Sequence, residues 1–297
     1  MTLESTIAVA VLTYNRSKTA IRSIESIIAS PKVDSIYIFD DGSSDRDIEN
    51  LEFLCNKYTN LKLIKNKKNI GYAENLIQAL EYLAKLDNEF LFICESDMLL
   101  TDKWGECAID ILQHSPDSVA LSPMLHRDQI KKNSSRYYQN VYMYGEFYND
   151  SLGKKIYTKK PFGSTYKVLP NQLKPKKIGN YKVFYSSNSI GTILFKKAFL
   201  KILIKNINEI RNYPKYEDGW LSWACFAFNN FSPKSIISPD PGMAFTFGGK
   251  GLHGYAILTN ARWNGSFWWR YEITAYFSRI FYQVVLLPFR AYRRLLK

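Results

Sequence analysis

The chain has 297 residues, 46% of them hydrophobic and 23% charged, with 40 Lys and Arg against 27 Asp and Glu for a net charge of +13. That balance belongs to a globular core and excludes wholesale disorder, while the length fits one large domain or two small ones. Four cysteines (Cys55, Cys94, Cys107, Cys225) lack metal-ligand or redox spacing and read as reduced thiols, most of them among apolar neighbours, in a reducing cytoplasm.

The apolar run Ile7 to Leu12 predicts a buried strand. Ile21, Ile24, Ile27 and Ile28 line one face of a helix over Lys18 to Ala29, with Pro31 behind it. Next come a strand over residues 35–39, a helix near 46–58 and a short strand over 61–64. Asn69-Ile70-Gly71 turns the chain into a helix over 72–86, with Leu76, Leu80 and Leu83 on its buried stripe. A strand over 90–94, a helix near 102–113 and a strand over 118–122 complete an alternation that implies parallel pairing.

From 124 to 182 the pattern dissolves into Tyr, Lys, Asn and Gly, the composition of an insertion built from loops and irregular antiparallel strands. Strand Ser189 to Phe195, helix Lys197 to Lys205, helix Glu217 to Phe228 and a strand near 235–238 follow, then an aromatic, basic, helical tail from Arg262. Charge follows this division. Residues 1–123 carry 12 basic and 19 acidic side chains, whereas 124–182 carry 13 and 3, 183–261 carry 8 and 4, and 262–297 carry 7 and 1. An acidic first half followed by basic segments suits a cation–nucleotide site flanked by surfaces for anionic partners. The lysines follow no nucleic-acid module, so no nucleic-acid partner is expected. The start lacks the basic flank of a signal peptide, and the apolar run Ile280 to Phe289 is about half the roughly 20 residues a membrane span needs.

Two acidic clusters fall at predicted strand ends, Asp40-Asp41-Gly42-Ser43-Ser44-Asp45 and Glu95-Ser96-Asp97. Ligands of α/β sheets gather outside the carboxyl ends of strands. A carboxylate in the first cluster suits a base or ribose hydroxyl; a tight turn with Ser44 or Asp45 as helix cap explains the same residues. The second cluster offers hard oxygen ligands for Mg²⁺ or Mn²⁺, which are held by one or two carboxylates plus substrate phosphates; a solvated loop has the same composition, and the strand-end position favours the ligand reading. Thr13-Tyr14-Asn15-Arg16 presents backbone N–H groups and a cation at a helix entrance, or only a helix capped by Ser17. Asn69 to Asn75 opens a helix on a glycine that admits a ligand, or is a turn with a cap.

Taken in order, these residues resemble the A-type nucleotide-sugar fold of family 2 glycosyltransferases. Thr13-Tyr14-Asn15-Arg16 matches the family's opening, Asp40 to Asp45 its Asp-Asp-Gly-Ser-x-Asp, and Asn69, Gly71, Ala73 and Asn75 its Asn-x-Gly-x-Ala-x-x-Asn. Glu95-Ser96-Asp97 stands where the family has Asp-x-Asp, departing in its first acid, and Tyr216-Glu217-Asp218-Gly219-Trp220-Leu221 fits the later Glu-Asp motif. The likeness is dense over residues 6–123 and thin over 183–230.

The resemblance implies a single α/β domain with a mostly parallel sheet flanked by helices, a basic insertion and an aromatic, basic C-terminal helical tail. Residues 1–261 form the catalytic domain, with 1–123 as nucleotide-binding half, 124–182 as insertion, 183–261 as acceptor and base half, and 262–297 as tail. It further implies that Thr13, Tyr14, Asn15, Arg16, Asp40, Asp41, Asn69, Gly71, Asn75, Glu95 and Ser96 bind the nucleotide. Asp97, Glu95 and His253 would hold Mn²⁺ or Mg²⁺. Asp218, with Glu217 beside it, would be the general base of an inverting transfer from a nucleoside-diphosphate sugar to a hydroxyl.

The acceptor expected from the resemblance is a glycan or polyprenyl-linked chain of a bacterial surface polysaccharide, at the cytoplasmic membrane face. There the aromatic and basic tail lies on an anionic surface, or else packs as a core or oligomer helix. Two other readings remain: a nucleotidyltransferase, which lacks its usual glycine-rich loop here, and a non-catalytic glycan-binding relative.

Overall fold

A computed structural model of the chain describes residues 5–123, 146–149, 155–158, 176–186, 192–208, 221, 224–225, 228–230, 232, 234–240 and 243–246. The chain forms two compact units, Met1–Ala244 and Phe245–Lys297.

In the first unit the strands are β1 (Ile7–Thr13), β2 (Val33–Asp40), β3 (Leu61–Lys65), β4 (Phe90–Glu95), β5 (Met98–Leu100), β6 (Ala120–Leu121), β7 (Glu146–Asn149), β8 (Lys155–Thr158), β9 (Lys176–Ile178), β10 (Tyr181–Ser186), β11 (Thr192–Lys196) and β12 (Ile236–Asp240). Among the described residues its helices include α1 (Ser17–Ile28), α2 (Asp45–Lys57), α3 (Tyr72–Leu83), α4 (Trp104–Gln113) and α5 (Lys197–Lys205). Nine strands make one sheet in the order β3-β2-β1-β4-β11-β6-β12-β10-β9, and β7 and β8 pair as a separate antiparallel hairpin.

Every residue of β1 is buried, as expected of a strand covered on both faces. Its alternation builds two cores. Ile7, Val9 and Val11 join Ile24, Ile27, Leu51, Trp104 and Leu112 from α1, α2 and α4. Ala8, Ala10 and Leu12 join Leu76, Leu80, Leu83, Phe199 and Leu203 from α3 and α5. The unit is therefore a helix–sheet–helix sandwich. Trp104 closes the first core, with its ring 4.7 Å from Phe92 and its indole N–H donating to the Ile27 carbonyl at 3.4 Å.

The α/β class holds, and seven strands of the large sheet run one way against β10 and β11. The alternation of strands and helices implies parallel pairing throughout residues 1–123, and here the structure differs. β11 inserts antiparallel between β4 and β6, so β6 has no parallel partner within the first 123 residues and pairs instead with β12. The cause is distant in sequence: β11 has its own apolar run, Ile193-Leu194-Phe195, to bury on both faces. The strand expected over 118–122 contracts to two residues; the Ser118 N–H closes a turn onto the Ser115 carbonyl at 3.1 Å, and its hydroxyl donates to the Lys234 carbonyl at 2.7 Å. The hairpin of β9 and β10 extends the main sheet through β12. β5 was not expected from the sequence; beyond its end the Thr101 N–H donates to the Met243 carbonyl at 3.0 Å.

Candidate nucleotide site

The path β1-α1-β2-α2-β3 moves outward in one direction, while β4 pairs on the other side of β1. The sheet's topological switch point thus lies between β1 and β4, where open α/β sheets form a crevice. Register places both acidic clusters there: Thr13 pairs with Asp40 and Leu12 with Glu95. Adjacent strands stand about 4.8 Å apart, so the ends of β2 and β4 are about 10 Å from one another across β1.

Asp40 is 0% exposed and turned into its own corner. One oxygen accepts the Ser43 N–H at 2.8 Å and the other the Ser43 hydroxyl. Asp41, 4% exposed, reaches into the next crossover and accepts the N–H groups of Ile70 at 2.8 Å and Gly71 at 3.0 Å, with the Asn66 amide at 3.3 Å. Gly42 makes that crossing possible. Its φ is +73°, and a Cβ there would stand 2.5 Å from the Lys68 carbonyl carbon and 2.6 Å from the Asn69 nitrogen.

The loop after β1 is tied to the same corner. Asn15, at φ 51°, donates its N–H to the Ser43 hydroxyl at 2.7 Å and accepts the Ser44 N–H at 2.9 Å. Ser17 is the first helical residue and not a cap; its N–H is taken by Asp47 of α2 at 2.9 Å. Ser44 occupies the cap position of α2, and its hydroxyl also goes to Asp47, at 2.8 Å. Tyr14 projects from this loop, 44% exposed.

At the start of α3, Gly71 has φ +90° and open space where a Cβ would point, and its N–H is shared between Asp41 and the Asn69 side chain, each at 3.0 Å. Asn75 is only 2% exposed. Its amide donates to the Phe39 carbonyl at 3.1 Å and accepts from Asn66 at 3.4 Å, a bracing position beneath the loop.

On the other side of β1, Tyr72 donates its hydroxyl to Glu95 at 3.1 Å. Ser96 is buried, with its N–H on the Leu12 carbonyl at 3.1 Å. Asp97 faces Arg16 across 3.6 Å, while its Oδ1 is buried and without a hydrogen-bond partner among the described residues. Burial raises its carboxyl above the ordinary value, and the Arg16 charge offsets that only in part. Three further buried hydroxyls, those of Thr13, of Thr192 in β11 and of Ser238 in β12, lack partners among the described residues. Thr192 pairs with Cys94, next to Glu95. Unsatisfied buried polar atoms are uncommon in folded proteins, and three of these four, on Thr13, Asp97 and Thr192, lie at or just beyond strand ends along one edge, Ser238 lying within β12.

The structure therefore brings Thr13, Asn15, Arg16, Asp40, Asp41, Asn69, Gly71, Glu95, Ser96 and Asp97 to one edge of the sheet. Glu217, Asp218 and His253 lie outside the described residues. Tyr72, Asn66, Asp47 and Thr192 were missed in the sequence. Tyr72 alone left a signal, standing at the first helical position beside a glycine on an acid-lined edge. Among the described residues no group of three His, Cys, Asp or Glu side chains could hold a metal ion, but a buried, unpaired carboxylate oxygen beside a second acid fits a cation that takes its other ligands from a substrate. No helix among the described residues is long and apolar enough to cross a membrane.

Among solved structures, S. aureus TarS 1–349 in complex with UDP-GlcNAc is 18% identical over 84% of this chain and 60% of that one, with a TM-score of 0.49. The mannosyltransferase PcManGT from Pyrobaculum calidifontis, in complex with GDP-Man and Mn²⁺, is 16% identical over 68% and 47%, with a TM-score of 0.41. A 4-diphosphocytidyl-2C-methyl-D-erythritol synthase from Anaerococcus prevotii is 10% identical over 79% and 87%, with a TM-score of 0.43. The chain spans less than two thirds of the length of the first two. Comparison with curated proteins gave no match. The model of Glycosyl transferase family 2 matches residues 8–172, more than half of the 297, and the chain belongs to that family.

Proposed function

We propose that the chain is an inverting glycosyltransferase that moves a sugar from a nucleoside diphosphate to a hydroxyl of a glycan or lipid-linked acceptor. The observation that carries this reading is the shared edge at the β1/β4 switch point, where register sets Asp40 and Glu95 on either side of the end of β1. The nucleoside lies against the β2 side, over the corner formed by Asp40, Asp41 and the open space at Gly71. Asp41 and Asn75 act there by holding the 66–71 loop in shape, since both side chains are already bonded to it or beneath it. The diphosphate lies toward Arg16, Ser96 and Asp97, where Arg16 supplies positive charge.

Asp97, with Glu95 beside it, would hold Mg²⁺ or Mn²⁺, and His253 is the candidate for a further ligand. When bound there, such a cation neutralises the charge that develops on the departing diphosphate. Asp218, preceded by Glu217, removes the proton of the acceptor hydroxyl as its oxygen attacks the anomeric carbon. Attack opposite the leaving group inverts that centre. The acceptor fits a polyprenyl-linked bacterial surface polysaccharide, met at the cytoplasmic face of the membrane by the basic tail.

The test is release of nucleoside diphosphate from a panel of nucleotide sugars, including UDP-GlcNAc and GDP-Man, with and without Mn²⁺. Cation-dependent release by the wild type, absent in folded Asp97→Asn and Asp218→Asn proteins, is expected. Pyrophosphate as product would point to nucleotidyl transfer, and no turnover with any donor to a binding relative. Full turnover by Asp218→Asn would remove that residue as the base.

A further inference from the structure

The loose contact between Arg16 and Asp97 has features of a temporary partnership. Charged N–H···O bonds close to about 2.7–2.9 Å, yet Arg16 Nη1 stands 3.6 Å from Asp97 Oδ2. Arg16 is 53% exposed on its side chain and Asp97 14%, so the cationic end sits in water while the anionic end is enclosed. The second carboxylate oxygen is buried with no partner among the described residues. A buried carboxylate normally gathers several hydrogen bonds, and this one has only its own backbone N–H and a distant charge.

The Arg16 backbone, by contrast, is fixed. Its carbonyl accepts the N–H groups of Thr19 at 3.0 Å and Ala20 at 2.9 Å, and the preceding Asn15 is bonded to Ser43 and Ser44. Movement of the guanidinium therefore needs only side-chain rotation from an anchored base, with no rearrangement of the loop.

Resting on the reading of this edge as a cation and diphosphate site, we propose that Arg16 is the interim countercharge of Asp97. A divalent cation arriving with a nucleoside diphosphate displaces it, and the freed guanidinium then binds the diphosphate oxygens. One side chain thus couples the two ligands. A cation alone must evict Arg16 and leave it with no anion to receive it, whereas a cation with a diphosphate supplies a new partner at once. By linkage the coupling is reciprocal, so each ligand strengthens the other by the same factor.

Mn²⁺ binding, followed by electron paramagnetic resonance of the free ion, reads this without any turnover. The probes are Mn²⁺ alone and Mn²⁺ with UDP or GDP, on the wild type, Arg16→Gln, Arg16→Lys and Asp97→Asn. In the absence of nucleotide Arg16→Gln should bind Mn²⁺ more tightly than the wild type by roughly two- to fivefold, the worth of one partly exposed ion pair. The tightening of Mn²⁺ that the diphosphate causes in the wild type should shrink by a similar factor in Arg16→Gln, and Arg16→Lys should restore most of it. Equal Mn²⁺ affinity in wild type and Arg16→Gln, or undiminished coupling to the diphosphate, would overturn the proposal while leaving the site itself standing. No Mn²⁺ binding by wild type with either nucleotide, or full binding by Asp97→Asn, would instead sink the site reading on which it rests.

Discussion

Asp41 and Gly71 are joined across two separate crossovers, the Gly71 N–H donating to the Asp41 carboxylate at 3.0 Å beside that of Ile70 at 2.8 Å. One side chain at the end of β2 therefore shapes the entrance to α3. Asp41→Ala removes the acceptor for two backbone donors that are half-buried, at a cost of about 2 kcal/mol. The measure is the urea midpoint at an unchanged slope. A variant as stable as the wild type would show that water replaces the carboxylate freely.

The two left-handed glycines at this corner differ in what surrounds them, and their alanine variants should separate accordingly. At Gly71, with φ 90° and ψ 154°, only backbone strain opposes a side chain, about 1–3 kcal/mol. At Gly42 the strain of a positive φ is joined by a collision with the backbone of Lys68 and Asn69, which adds about 1–3 kcal/mol. Denaturation without ligand should rank Gly42→Ala clearly below Gly71→Ala. The reverse order would mean that the two loops separate easily.

Asp47 gives the protein a dependence on acid. Hydrogen bonding from the Ser17 side chain is the largest cause that holds its carboxyl below the ordinary value of 3.8, burial works against it, and the Ser17 N–H and the Ser44 hydroxyl add to the lowering. Between the lowered value and 3.8 the unfolded chain binds more protons than the native one, so stability rises with pH through that window. Asp47→Ala should be less stable than the wild type by about 1 kcal/mol at pH 7, the cost of a lost helix cap at the modest end expected in water. The difference should close as pH falls through the carboxylate range. A gap of constant size down to acid pH would assign the effect to packing.

Tyr72→Phe keeps the ring and deletes only the hydroxyl that donates to Glu95. Thermal stability should move little. If Glu95 orients donor or cation, the KM for the nucleotide sugar should rise roughly fivefold, the equivalent of about 1 kcal/mol, with a smaller change in kcat. An unchanged KM would leave the contact a purely structural one.

How far the sequence carries is visible at these same residues. Asp40 and Glu95 could be placed at strand ends because each closes an apolar run, and a buried strand must stop where carboxylates begin. That both fall on one edge follows from the parallel direction that alternating strands and helices imply, whereas the order that leaves only β1 between them does not. The bonds from Asp41 to residues 70 and 71, or from Asp47 to Ser17, link positions about 30 apart, and no local period encodes them. β11 was legible as a strand but not as the antiparallel neighbour of β4. Pairing is chosen by which edge is left open once the chain has collapsed, and two residues of β6 offer no competing edge of comparable length.

The approach of the Gly42 turn to the Lys68–Asn69 backbone has a practical corollary for anyone who wishes to re-engineer this corner of the sheet edge. Segments from different crossovers interlock here without room for a single added carbon, so neither is a free module. Transplanting one of them from a relative would require its counterpart to travel with it, and changes tolerated in one should arise as paired exchanges in both.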